Sequence, residues 1–201
     1  MSLASRRFGV RDLMILIAAT ALGMALLRLR ISFADVAKFF LELKPTSWVG
    51  RSYSAKVLIA TGVLELIVPC FFSWTIGLVV IRLLSPRPRL RRLLVQPGFV
   101  ACAAFLAAAL LAYAIAMATP AVRGRLVSRG SRWLLGYHGI ASLICVQQGG
   151  WAVFVAWLML ALSRRWIPEP SWVDRLGRVL GIFWMAAALI LTDFHNSLII
   201  P

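Results

Sequence analysis

Five stretches of this chain contain neither lysine nor arginine: Leu13–Leu27, Val57–Ile81, Phe99–Ala118, Ile140–Leu162 and Val179–Thr192. All 22 Lys and Arg residues lie before the first of them or between them. A cation in hydrocarbon is costly, so long apolar runs that exclude cations are the signature of membrane spans. Composition points the same way. The 201 residues are 61% hydrophobic and 14% charged, with a mean hydropathy of +0.87. A soluble domain is nearer half apolar, with about a quarter of its residues charged. Water cannot solvate so much apolar surface, whereas lipid can. The expected fold is all-α. It is a polytopic transmembrane helix bundle of four to five spans, at about 13–30, 57–81, 98–118, 139–162 and 176–193. Together these form a single integral membrane domain over residues 1–201.

The net charge of +15 invites a nucleic-acid reading. The cations instead flank apolar runs, which makes the expected partner a lipid bilayer with anionic headgroups and not nucleic acid. The first run is 15 residues, short of the usual ~20. That length also suits a signal peptide, with small residues at Gly23-Met24-Ala25. Arg28 and Arg30 favour a retained helix, because their long side chains reach the interface and extend a short run. Within residues 33–44, Val36, Phe39, Phe40 and Leu43 share one helical face and Asp35, Lys38 and Glu42 another, ahead of Pro45. Such a stretch predicts an interfacial amphipathic helix.

Orientation is weakly encoded. Five spans put 12 cations on the side of the N-terminus and 10 on the other. The concentrated loop Ser85-Pro86-Arg87-Pro88-Arg89-Leu90-Arg91-Arg92 and the arginines before the first span place the N-terminus in the cytoplasm and the C-terminus outside.

Polar groups inside the spans are the candidate functional residues. Glu65 lies about 12 Å into its helix, where a carboxylate needs a partner. Pro69 removes the backbone bond to the Glu65 carbonyl, so one position offers both a carboxyl group and a freed oxygen. Gln147 and Gln148 fall at a matching depth, beside Gly149-Gly150, a pair that allows a kink. Glu65, Gln147 and Gln148 are therefore expected to meet in one polar intramembrane cluster, as an ion or ligand site or as hydrogen-bonded helix glue. Asp193, His195 and Asn196 end the last span. No catalytic set, metal site or cofactor motif is read: Cys70, Cys102 and Cys145 lie in separate runs, and no His-x-x-x-His, Cys-x-x-Cys, Gly-x-Ser-x-Gly or Walker-type spacing occurs. Ala104, Ala108, Ala112 and Ala116 line the third span, and Gly177 and Gly181 form a GxxxG pair, both patterns that admit close helix approach.

Three segments carry a resemblance. Arg7-Phe8-Gly9-Val10-Arg11-Asp12-Leu13-Met14 resembles the F-[ST]-[LIV]-R-[DT]-L-[LM] opening of small hydrophobic proteins of planctomycete bacteria, with Gly9 departing from the usual Ser or Thr. Arg91-Arg92-Leu93-Leu94-Val95-Gln96-Pro97-Gly98-Phe99 and Pro170-Ser171-Trp172-Val173-Asp174-Arg175-Leu176-Gly177-Arg178 are similar to segments of the same group. The resemblance covers about a third of the chain. It implies a bacterial inner-membrane protein and assigns no catalytic residue. The expected function is a non-enzymatic membrane component, a scaffold or accessory subunit. The alternative is a small transporter or channel using the Glu65 region.

Overall fold

The computed structural model describes residues 9–30, 55–84, 93–118, 130–166 and 171–199. All regular structure among them is helical: α1 (Val10–Arg30), α2 (Ala55–Leu83), α3 (Pro97–Ala118), α4 (Gly130–Leu162) and α5 (Trp172–Ile199). Each contains a segment long and apolar enough to cross a membrane. The shortest has 21 residues, about 31 Å at 1.5 Å per residue, against a hydrocarbon core of about 30 Å. The chain is a multi-pass membrane protein built as a helical bundle. The helices run past the apolar runs that mark them, α4 from Gly130 and α5 from Trp172 to Ile199, because helical hydrogen bonding does not stop where the apolar run does. The amphipathic stretch 33–44 lies outside the described residues.

Local chemistry explains the helix starts that share one end of the bundle. Gly9 precedes α1, and its N–H donates to the Asp12 carboxylate at 3.4 Å, half of a capping box. Gln96 precedes α3, its carbonyl accepting from Val100 N–H at 3.0 Å. Pro97 follows at the first helical position, where a missing N–H costs nothing. Ser171 caps α5, accepting from Arg175 N–H at 3.2 Å and, through Oγ, from Asp174 N–H at 3.4 Å.

Close contacts fix the register. Cys70 Sγ lies 4.0 Å from Met24 Sδ and Trp74 Nε1 donates to Thr20 Oγ1 at 2.9 Å, so α1 and α2 run antiparallel. A Cβ on Gly23 would sit 2.7 Å from the Cys70 Cα, and one on Gly77 3.2 Å from the Ala19 Cβ. Helices α3 and α5 run parallel, Gly98 against Gly177 and Ala101 against Gly181. Helix α4 runs antiparallel to both, Gly149 facing Phe105 of α3 and Gly150 facing Trp184 and Ala188 of α5. The starts of α1, α3 and α5 therefore share one end with the ends of α2 and α4.

In lipid, shape fit and not apolar transfer holds helices together. At the centre, Trp184 stacks on Phe105 with centroids 3.8 Å apart and 16° between planes, an arrangement worth about 1 kcal/mol beyond its area. Gly149-Gly150 makes room for it. Helix α4 continues through both glycines, whose faces receive the Phe105 ring and the Trp184 backbone. They allow close approach and do not interrupt the helix. Gly177 and Gly181 do the same for α5, as their spacing implies. The alanine row is displaced from the face expected: Ala101, Cys102, Phe105 and Ala109 are buried, while Ala104, Ala108 and Ala112 are only half-buried. Ala104 and Ala108 each lie one residue, about 100° around the helix, from the buried Phe105 and Ala109, so the row flanks the contact face.

Candidate functional site

Two polar regions stand out, one at each level of the bundle. The first lies where α2 ends and α3 and α5 begin. Asp174, in the first turn of α5, is wholly buried, and its Oδ1 accepts from Gly98 N–H of α3 at 2.9 Å. The carboxylate thus serves an unpaired donor at the N-terminus of α3 while standing in the first turn of α5, and both helix starts favour its negative charge. Arg178 Nε, one turn on, lies 3.3 Å from Asp174 Oδ2. Ser171 Oγ accepts from Arg82 Nη2 of α2 at 2.6 Å, and Arg82 is only 4% exposed despite its length. The register set by Cys70 against Met24 brings Asp12 of α1, also buried, level with the Arg82 turn. Trp157 of α4 closes the group, donating to the Pro97 carbonyl at 2.9 Å. All five helices contribute to this end. The crevice among Leu78, Arg82, Gly98, Cys102 and Gly177 is too tight for a water molecule.

The apolar runs and the polar residues inside them do not point to this region. The signal was present: Ser171-x-x-Asp174 before an apolar run is a capping box, and Pro97-Gly98 is a helix start whose second N–H needs an acceptor. Arg175 and Arg178 disguised it as a solvated loop. Residues 93–99 and 171–178 supply most of its residues, and they meet in space through Gly98, Asp174 and Gly177.

The second region lies towards the other end. Gln147 Nε2 donates to Thr192 Oγ1 of α5 at 3.0 Å, Trp151 Nε1 donates to the same oxygen at 3.3 Å, and Thr192 donates to Ala188 O at 2.8 Å. Gln148 is exposed, on the opposite side of α4 from the buried Gly149-Gly150 face. The antiparallel register of α2 and α5, fixed by Arg82 with Ser171 and Thr75 with Trp184, brings the backbone of Glu65 level with Thr192. The Glu65 side chain lies outside the described residues, as do those of His195 and Asn196. Asp193 is exposed.

A recurring pair satisfies tryptophan N–H groups within the apolar region. Trp184 donates to Thr75 at 3.0 Å, Trp74 to Thr20 at 2.9 Å and Trp151 to Thr192. Each threonine hydroxyl in turn donates to the carbonyl four residues earlier in its own helix. The hydroxyl therefore uses its proton locally and offers its lone pair across the helix interface. Among the described residues, no three His, Cys, Asp or Glu side chains gather as metal ligands. Compared with protein-family models, with curated proteins and with solved structures, the chain has no significant match to any of them.

Proposed function

We propose that this chain is a non-enzymatic component of a bacterial inner membrane, a scaffold or accessory subunit that presents helix surfaces to a membrane-protein partner. The observation that carries this reading is the use made of the buried and half-buried polar side chains. Asp174, Ser171, Arg82, Thr75 and Gln147 are each bonded to a group on another helix. Such bonds hold an assembly in register, and the tight crevice beside Arg82 suits packing better than turnover. Helix α1 supports the reading too. It packs on α2 and keeps Val10, Met14, Ile17 and Leu22 exposed along its length, as a surface for lipid or for a partner helix. The N-terminus is assigned to the cytoplasm, from the arginine-rich segments before α1 and between α2 and α3.

A small transporter or channel is the second reading, favoured by one feature. Pro69 lies inside α2 and withdraws the hydrogen bond from the Glu65 carbonyl, at the level where Gln147 meets Thr192. Glu65→Gln separates the two. A scaffold keeps its stoichiometric partner on purification from native membranes, in the wild type and in Glu65→Gln alike. The scaffold reading is overturned if the purified chain is alone and carries an ion or proton flux in proteoliposomes that Glu65→Gln abolishes.

A further inference from the structure

Helix α4 ends in a hook. Arg165 N–H donates to Leu160 O and Arg164 N–H to Ala161 O, both at 3.1 Å, the paired bonds of a Schellman cap. The residue that turns left-handed in such a cap is usually glycine, because a Cβ is penalised there. Here it is Arg164, with φ of 53°. The hook brings Trp166 back to meet Trp157 edge-on, with centroids 5.5 Å apart. Trp157 is itself held by the Pro97 carbonyl and packs on Gly181. The segment Arg164-Arg165-Trp166 is thereby fastened beside the starts of α3 and α5, with all three side chains exposed.

Among the described residues no ion pair joins Arg164, Arg165 or Arg175 to an acidic side chain, while Arg178 pairs with Asp174. Trp157 against Gly181 and Gly150 against Ala188 set a register that puts Arg164 level with the start of α5. Arg175, exposed, and Arg178 occupy the first two turns of that helix, where cations oppose the macrodipole. The described acidic side chains at this end, Asp12 and Asp174, are both buried. Asp174 is committed to Gly98 and Arg178. Arg164 in a conformation that suits glycine, and Arg175 at a helix start, would both be favoured by an anion bound beside them. The exposed tryptophan marks the headgroup level at which such an anion is met. A guanidinium matches phosphate oxygens with two parallel bonds.

We propose that Arg164, Arg165 and Trp166, with Arg175 and Arg178 of α5, form a binding site for the phosphate of an anionic phospholipid headgroup. The site is independent of the scaffold reading, since it is tested on the purified chain alone. The experiment measures thermal unfolding of the full chain in neutral detergent and counts bound lipid by native mass spectrometry. The probes are phosphatidylglycerol, phosphatidylcholine and inorganic phosphate. Phosphatidylglycerol is expected to bind and to raise the melting temperature, and the other two to do neither at matched concentration. Arg164→Gly separates charge from conformation. It relieves the left-handed cap, so the melting temperature without lipid stays the same or rises, while phosphatidylglycerol binding weakens about fivefold, the share of one cation near a charged surface. Arg165→Gln weakens binding by a similar factor. Equal stabilisation by phosphatidylcholine, or wild-type phosphatidylglycerol binding in both variants, overturns the site. An equal effect of inorganic phosphate overturns the assignment to lipid and gives the site to a soluble anion.

Discussion

At the residue scale, Asp174 has the most interactions to lose. Removing its carboxylate strands the Gly98 N–H in a buried seam and takes away the partner of Arg178. Asp174→Ala is expected to cost about 3 kcal/mol. Asp174→Asn keeps an oxygen for Gly98 and loses the charge at two helix N-termini together with the ion pair to Arg178, about 1–2 kcal/mol. Thermal unfolding in detergent separates them: the alanine variant melts about 6–12 °C lower, the asparagine variant a few degrees lower. Equal losses would show that the carboxylate's bond to α3 contributes nothing. The same residue shows what the sequence did and did not make legible. Glu65 drew attention because a carboxylate stood alone in an apolar run. Asp174 escaped it because arginines surround it, although the pattern Ser171-x-x-Asp174 identifies a cap. The depth of Gln147 was readable by counting turns. Its partner Thr192 was not, because depth does not fix which way a helix face turns. Nor did adjacency make Gln147 and Gln148 act as a pair, since consecutive residues on a helix point about 100° apart.

At the scale of the element, the spans were legible and their contact faces were not. An uncharged run locates a helix because lipid forbids the charge. Which side of α3 packs depends on partners, so the four-residue alanine row suggested one face while Ala101, Phe105 and Ala109 use another. The glycines of α4 likewise signalled an irregularity. Their role came from the Phe105 and Trp184 rings and backbone that occupy the space. The pairing of α1 with α2 has a direct test, because Met24 Sδ lies 4.0 Å from Cys70 Sγ. Met24→Cys is expected to form a disulfide with Cys70 under mild oxidation, seen as a mobility shift under non-reducing conditions. Leu22→Cys, on an exposed face of α1, is expected to form none. Cross-linking from position 22 and not from 24 would mean that α1 is rotated.

At the scale of the whole molecule, the bundle is held from both levels. Near one end Asp174, Arg82 and Ser171 join α2, α3 and α5 through polar bonds, and in the middle the Phe105–Trp184 stack locks α3 to α5 above the two glycines of α4. Helix α1 is added on the outside through α2. This arrangement makes one topological claim: the starts of α1, α3 and α5 lie on the same side of the membrane as the end of α4, and the end of α1 lies on the other. The measurement is cysteine accessibility to a membrane-impermeant maleimide in intact cells and in inverted vesicles. Single cysteines replace Arg11, Arg164, Arg175 or Arg28 in a background without Cys70, Cys102 and Cys145. Positions 11, 164 and 175 are expected to label together in inverted vesicles and position 28 in intact cells. Labelling of 164 or 175 on the same side as 28, and opposite to 11, would contradict the five-span bundle.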